Sequence, residues 1–184
     1  MTELLERDSV TDGGVIESPD SSLALSEITD RLLWSVQPDH QGDLNAFTAA
    51  VFASAPRPGE VLKMDSLRLL QLWPHKAWLL ASSPELPRGL DDYGDMMTDI
   101  GHGYCEFRLG GEQALDFLGS YTSSSPAQQC NGAKRSLRCL LGQYPVLLWW
   151  DDSADIRLLV ERSLAQSFYD YLASLMARWS RQTP

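Results

Sequence analysis

Apolar residues recur at regular spacings along much of the chain, and in its second half these spacings predict short strands. Tyr104–Leu109 alternates apolar and polar residues, which is typical of a strand with one buried side. Three further strand-like runs lie close together, at Ser136–Leu141, Pro145–Trp150 and Asp155–Val160. Because only short turn segments separate these runs, we expect an antiparallel meander.

Two helices begin at recognisable capping residues. Asp43 precedes apolar residues at helical spacing up to about Ala53, so its side chain is expected to cap that helix. Ser163 and Gln166 match a capping box, in which each side chain satisfies a free backbone N–H group of the first turn. An apolar stripe follows at helical spacing. It consists of Leu164, Phe168, Tyr171, Leu172, Leu175 and Trp179.

The remaining patterns decide the fold class. Ser66–Trp73 and Ala77–Ala81 are strand-like runs joined by a Pro-His turn. Glu112–Leu118 is predicted to be a short helix that Gly119 closes. Strands in two groups, each followed by a helix, predict an α+β fold with a mainly antiparallel sheet and helices packed on one face.

The N-terminal segment differs from the rest of the chain in charge and periodicity. Met1–Asp30 contains eight acidic residues and one basic residue. Its first part lacks a sustained period and contains Gly13-Gly14, so residues 1–21 are predicted to form an acidic, flexible tail. Such a tail is either a solvated extension or a strap that lies on a basic partner. Residues 22–184 are predicted to form a single α+β domain.

Composition and charge exclude several classes of partner and compartment. The chain has 15 Lys and Arg against 25 Asp and Glu, a net charge of −10, which opposes binding to nucleic acid or to an anionic membrane. The longest apolar run, Val146–Trp150, is far shorter than a membrane-spanning helix, and the first residues contain no apolar block typical of a secretory signal. Three cysteines without a CxxC pair favour the reducing cytoplasm.

The best candidate for a ligand contact is the segment Thr98–Gly103, where His102 lies three residues after Asp99. Histidine commonly serves as an acid or base at physiological pH, and Asp99 could share a pocket with it. A turn histidine bonded to the backbone explains the same residues. Neither His40 nor His75 has a second histidine or a cysteine at metal-ligand spacing, so we predict no metal site. The sequence specifies no catalytic centre either.

A docking surface is predicted around the adjacent tryptophans Trp149 and Trp150. Because neighbouring residues of a strand point to opposite faces, one tryptophan can fill the core while the other meets a second layer or a partner protein. Lys134, Arg135 and Arg138 form a basic segment just before this strand. The five residues together predict an interface formed by charge-steered docking.

Six stretches of the chain match a known family by their order and spacing. They are Leu72–Leu80, Thr98–Gly103, Gly110–Ala114 with Phe117-Leu118, Ala133–Leu137, Pro145–Trp149 and Leu158–Ser163. In this order they resemble the sarcosine oxidase gamma subunit family, which includes the equivalent subunit of N-methylglutamate dehydrogenase. The resemblance covers about Leu67 to Trp179 and implies a fold similar to the folate-binding fold of the glycine-cleavage T-protein.

The resemblance implies an accessory, non-catalytic subunit of a heterotetrameric, cytoplasmic flavoenzyme complex. Such a complex oxidatively demethylates an N-methyl amino acid, such as sarcosine or N-methylglutamate, and delivers the one-carbon unit to tetrahydrofolate. The partners it implies are larger alpha and beta subunits and a small delta subunit. FAD, FMN, NAD and tetrahydrofolate are expected in those subunits, and no cofactor is expected on this chain alone.

Two departures from the T-protein pattern bear on folate. Tyr121–Ser125 has no carboxylate where T-protein-like enzymes carry a working aspartate, and Gly101 replaces the usual serine. Two alternatives nevertheless stay open. One is a free-standing tetrahydrofolate-binding, aminomethyltransferase-like protein with Asp99 and His102 in its pocket. The other is an unrelated α+β interaction module.

Overall fold

The computed structural model of the chain describes residues 9–38, 43–54, 57–82, 90–123, 125–129 and 136–179. Strands and helices alternate in groups along these residues, as the sequence predicts for an α+β fold. The strands are β1 Ile16–Glu17, β2 Ala24–Ile28, β3 Leu32–Val36, β4 Val61–Met64, β5 Leu67–Trp73, β6 Lys76–Ala81, β7 Met97–Asp99, β8 Tyr104–Gly110, β9 Ser136–Leu141, β10 Tyr144–Asp152 and β11 Asp155–Glu161. The α-helices are α1 Leu44–Phe52, α2 Ala114–Tyr121, α3 Pro126–Gln129 and α4 Ala165–Trp179, with 3-10 turns at Asp91–Met96, Gly101–Gly103 and Arg162–Leu164.

Two antiparallel sheets organise the chain. One has the strand order β1-β2-β8-β11-β10-β9, and the other has the order β4-β5-β6-β3-β7. The described residues accordingly divide into two compact units, one within residues 30–102 and the other within residues 9–29 and 103–179. The sequence indicated a single domain from residue 22. In the structure β2 pairs with β8, so the segment before β3 joins the six-stranded sheet.

In the five-stranded unit, α1 covers one face of the sheet. Asp43 accepts a hydrogen bond from the backbone N–H of Asn45 at 2.8 Å, which confirms it as the cap of α1. Ala53, in a left-handed conformation with φ 52°, ends the helix. Phe47 is fully buried and meets the ring of Tyr93 edge to face, with the two centroids 5.0 Å apart.

In the six-stranded unit, the predicted meander is confirmed. β9 and β10 form a hairpin closed by the pair Leu141–Tyr144, and its turn begins at Gly142 with φ 60°. β10 pairs next with β11, and β11 pairs with β8. The strands β10, β11 and β8 therefore lie inside the sheet, whereas β9 lies at its edge.

Helices α2 and α4 cover one face of this sheet and bury an aromatic core. Phe107 of β8 lies between two aromatic rings of α4, with centroids 5.8 Å from Phe168 and 5.7 Å from Tyr169. At the far end of α4, the ring of Trp179 meets that of Phe117 edge to face, and its indole N–H donates to Gln113 Oε1 at 3.0 Å. These contacts hold both helices against the face of the sheet that carries the apolar residues of β8, which is the buried side predicted from its alternation.

Two local predictions about these helices are corrected. Gly119 does not close α2, because Thr122 donates its N–H to Leu118 O at 3.0 Å and its hydroxyl to the same oxygen at 2.9 Å. The helix therefore ends only at Tyr121. The capping box of α4 is also not formed, because Gln166 donates to Asp170 Oδ1 instead. A 3-10 turn precedes α4 at that point.

The predicted flexible tail, as far as it is described, is part of the six-stranded unit. The Glu27 carboxylate accepts the backbone N–H groups of Val10 and Thr11 and the hydroxyls of Ser9 and Thr11. The Tyr169 hydroxyl donates to Gly14 O at 3.1 Å. These bonds hold the segment against the sheet from residue 9 onward. Residues 1–8 of the predicted tail lie outside the described residues.

Candidate functional site

The segment with the predicted ligand contacts forms a tight turn in the five-stranded unit. Asp99 ends β7, and its Oδ1 accepts the backbone N–H of Gly101 at 2.7 Å. Ile100 donates its N–H to Leu33 O at 3.0 Å, which fixes the start of the turn to β3. His102 follows in the 3-10 turn and is exposed. The carboxylate of Asp99 thus starts the turn, which is a structural task.

The position that would carry the folate-binding acid of the T-protein pattern has a different task here. Tyr121 packs in the aromatic group of the six-stranded unit, with its ring centroid 5.2 Å from that of Phe117. Thr122 uses both its N–H and its hydroxyl on Leu118 O, and it forms a single bridge with Leu141. These residues supply no carboxylate and are engaged in packing and helix termination.

The other groups that could carry chemistry are the potential metal ligands and the cysteine thiols. Among the described residues, no three His, Cys, Asp or Glu side chains lie together in a way that could hold a metal ion. Burial raises the pKa of the Cys139 thiol to about 11, so this thiol is protonated at neutral pH and is a poor nucleophile. Cys105 is buried on the core side of β8. His40 and Cys130 lie outside the described residues.

The two tryptophans of the predicted docking surface are both buried. Trp150 is 5 % exposed and belongs to the aromatic core under α4, and Trp149 is only 4 % exposed. Arg157 of the neighbouring strand β11 lies over the Trp149 ring, with Cζ 5.9 Å from the ring centroid. Of the two possibilities that the sequence left open, the structure has both tryptophans buried within the chain. β10 lies inside the sheet, between β9 and β11.

The basic part of the predicted surface is only partly described. Lys134 and Arg135 lie outside the described residues, whereas Arg138 is exposed on β9. Two residues further along β9, Leu140 is 53 % exposed on the same face. Sequence reasoning missed Leu140 as a surface residue. The signal was available, because alternation in β9 places Leu140 with Ser136 and Arg138, and such a polar face is typical of exposure.

A second charged group lies on the same face of this sheet, near the turn between β10 and β11. Asp155 Oδ1 accepts hydrogen bonds from Arg108 at 3.0 Å and from Arg157 at 3.1 Å. Burial raises the pKa of the Asp155 carboxyl, but the hydrogen bonds and charges of the two arginines outweigh it and lower the pKa overall. The group joins three strand positions and has the character of a structural ion cluster.

An exposed tryptophan does occur, at the tip of the β5–β6 hairpin in the five-stranded unit. Trp73 is 42 % exposed, and the Lys76 ammonium lies 5.8 Å from the centroid of its ring. The two residues face each other across the Pro74-His75 turn. A tryptophan directly before a Pro-containing turn is a sequence signal for such a position, although Trp73 lies outside the predicted docking surface.

Comparison with known proteins identifies the fold. The structure matches a chain of the heterotetrameric sarcosine oxidase from Corynebacterium sp. U-96, determined in complex with pyrrole 2-carboxylate, with a TM-score of 0.72 and 22 % sequence identity. The match covers 86 % of this chain and 85 % of that chain, so the two chains have nearly the same length. The α+β fold with two antiparallel sheets is therefore a fold found in a sarcosine oxidase heterotetramer.

Sequence comparison adds no further relative, since no protein-family model and no curated protein matches this chain. As to membranes, none of the helices in the described part of the chain combines the length and the apolar character that crossing a bilayer requires.

Proposed function

We propose that this chain is an accessory, non-catalytic subunit of a sarcosine-oxidase-like flavoenzyme complex, of the gamma type. The observation that carries the proposal is the fold match to a chain of a heterotetrameric sarcosine oxidase over most of both chains. Since the match covers 85 % of that chain, it extends over most of one subunit of that enzyme rather than over one local part of it.

The sequence resemblance supports the gamma type independently of the fold match. The stretches Leu72–Leu80, Thr98–Gly103 and Leu158–Ser163 follow the order of the gamma family. In the structure they form the β5–β6 hairpin, the turn after β7 and the end of β11. They contribute to both sheets, so the resemblance concerns the whole fold rather than one local motif.

The non-catalytic role is supported by what the candidate residues do. Asp99 starts a turn, and Thr122 ends a helix at the position where related folds carry an acid. In this proposal the alpha, beta and delta subunits hold FAD, FMN, NAD and tetrahydrofolate. The complex oxidises an N-methyl amino acid, with sarcosine or N-methylglutamate as the substrate class, in the cytoplasm. This chain contributes surface for assembly.

Copurification from the native host tests the proposal. The chain would carry a C-terminal tag, and the purified material would be examined by intact-complex mass and by its visible spectrum. We expect a complex of several subunits with flavin absorbance. A colourless monomer of 20.5 kDa would contradict it.

Calorimetry with tetrahydrofolate separates the alternatives if the chain is found alone. Heat of binding that Asp99→Asn abolishes would indicate the aminomethyltransferase-like alternative. A colourless chain without such heat would indicate an unrelated interaction module. The accessory-subunit proposal predicts no binding heat from the isolated chain at millimolar ligand.

A further inference from the structure

The longest edge strand in the described part of the chain is β9. It has six residues, whereas the other three edges are formed by β1, β4 and β7, with two, four and three residues. Proteins generally protect sheet edges by keeping them short, charged or covered, because an open edge pairs readily with another chain. No described strand pairs with the outer side of β9. At its C-terminal end, Thr122 forms a bridge with Leu141, and Gly142 donates its N–H to Tyr121 O at 3.3 Å.

The register of the hairpin shows which way β9 presents its main chain. Leu140 lies opposite Pro145 of β10. Proline has no N–H, so this cannot be a hydrogen-bonded pair of the ladder, and the main-chain N–H of Leu140 points away from β10. Because the main-chain N–H and C=O groups of a strand alternate in direction, those of residue 138 also point away from β10. A strand added outside β9 could therefore form main-chain hydrogen bonds at positions 138 and 140.

The side chains at these positions define the chemistry of the partner. Leu140 is 53 % exposed, which leaves a large apolar side chain in water at a sheet edge. Arg138, on the same face, is exposed as well. β9 itself contains one basic residue, Arg138, and no acid, in a chain whose net charge is −10. This edge is therefore a local exception to the acidic character of the protein, and it fits an acidic partner.

We propose that an extended acidic segment of another subunit lies along β9, with an apolar side chain on Leu140 and a carboxylate facing Arg138. The inference deepens the proposed function and rests on it, since it names the surface by which the accessory subunit meets its complex. A second copy of this chain fits the edge poorly. In a symmetric antiparallel pair centred on Arg138, this residue would face its own counterpart, and the two chains each carry a charge of −10.

Charge and polarity changes on β9 test the inference in the complex. Arg138→Glu and Leu140→Asp are introduced into the tagged chain, which is then produced in the native host together with its untagged wild-type copy. The matched controls are Lys63→Glu on edge strand β4 and Val15→Asp, since Lys63 is exposed and Val15 is 61 % exposed. Milder variants, Arg138→Gln and Leu140→Ser, cover the case in which the stronger ones fail to fold. The readout is the fraction of each tagged chain found in the complex by native mass.

The expected result is at least about a tenfold loss of incorporation for the β9 variants, with both controls at the wild-type level. Equal incorporation of β9 variants and controls would overturn the β9 inference and leave the proposed function standing. Loss of incorporation in the controls as well would overturn the β9 inference, since the effect would not be specific to β9. Absence of any complex with the wild-type chain would overturn both. A dimer of the isolated chain that the β9 variants dissociate would overturn it in favour of self-association.

Discussion

Two neighbouring strands of the same sheet, β10 and β9, differ in the exposure of their large apolar residues, which are buried on β10 and partly exposed on β9. β10 holds Trp149 and Trp150, which are both at least 95 % buried, while β9 exposes Arg138 and more than half of Leu140. From the sequence, the tryptophan pair was the better candidate for an interface. The difference arises from strand order, because β10 is flanked by β9 and β11, whereas β9 ends the sheet. Large apolar side chains therefore mark an interface only once the position of their strand is known.

The largest loss of stability is expected from a substitution in the inner strand β10. Trp150→Ala removes a side chain that is 5 % exposed in the aromatic core under α4. Since the surrounding helices and sheet can fill the cavity only in part, the free energy of unfolding should fall by about 3–5 kcal/mol. Urea unfolding followed by circular dichroism measures this change.

The matched control for this prediction is Trp73→Ala, because Trp73 is 42 % exposed at a hairpin tip. It should cost less than about 1 kcal/mol. Equal effects of the two substitutions would break the distinction between buried and exposed tryptophans.

A smaller effect is expected from the turn that joins the two strands. Gly142 has φ 60°, and an added Cβ would lie 2.3 Å from the Tyr171 hydroxyl. Alanine in the left-handed region costs about 1–2 kcal/mol, and Tyr171 would have to move. Thermal unfolding of Gly142→Ala should show this loss. Gly103→Ala is the control, since its Cβ would meet open space and its φ is not positive. A stable Gly142→Ala variant would contradict the described hairpin turn.

The opposite edge of the sheet provides the next prediction, because there the N-terminal segment is held by Glu27. Burial raises the pKa of the Glu27 carboxyl, but the hydrogen bonds from Ser9, Thr11 and Val10 outweigh it and lower the pKa overall. Glu27→Gln should therefore lower the free energy of unfolding at pH 7 by about 1 kcal/mol and make the N-terminal segment more sensitive to proteolysis.

The pH dependence of this effect has a definite sign. Because the pKa of Glu27 is lower in the folded state, the unfolded state binds more protons at acid pH. The stabilisation is complete above the unfolded value of about 4.3 and is lost as the pH falls through the folded value. The difference between wild type and Glu27→Gln should shrink there. Glu17→Gln, on the exposed part of β1, should show no comparable loss at any pH.

The smallest effect on stability is expected at β9 itself. Arg138→Glu and Leu140→Asp change exposed side chains of an edge strand, so each should alter the free energy of unfolding by less than about 0.5 kcal/mol. Combined with a large loss of incorporation into the complex, this would separate docking from folding at the two positions. A loss of stability as large as that of Trp150→Ala would show that β9 is part of the core.

The sequence predicted local elements well where the pattern is periodic and the turn chemistry is specific. Asp43, the alternation of β8 and the three-strand meander all have their predicted roles. What could not be predicted depends on contacts between distant residues. Glu27 binds the backbone of Val10 and Thr11, and this contact turns an acidic segment without periodicity into part of a sheet.

The candidate site shows the same limit. Asp99 and His102 lie in one short segment of the sequence, and in the structure this segment is a turn in which Asp99 accepts the Gly101 N–H. Strand order was likewise invisible in the pattern. β9 and β10 both have the pattern of a strand, and only the pairing of β10 with β11 on its other side separates the buried tryptophans from the exposed Leu140.

The most direct test of the β9 interface is amide hydrogen exchange of the chain alone and in the native complex, compared at β9 and β10. We predict that the outward amide of Leu140 exchanges quickly in the isolated chain and slows at least about tenfold on assembly. The amides of Trp149 and Trp150 should be slow in both states. An unchanged rate along β9, with slowing at another surface, would contradict the claim that this edge is where the chain meets its partner.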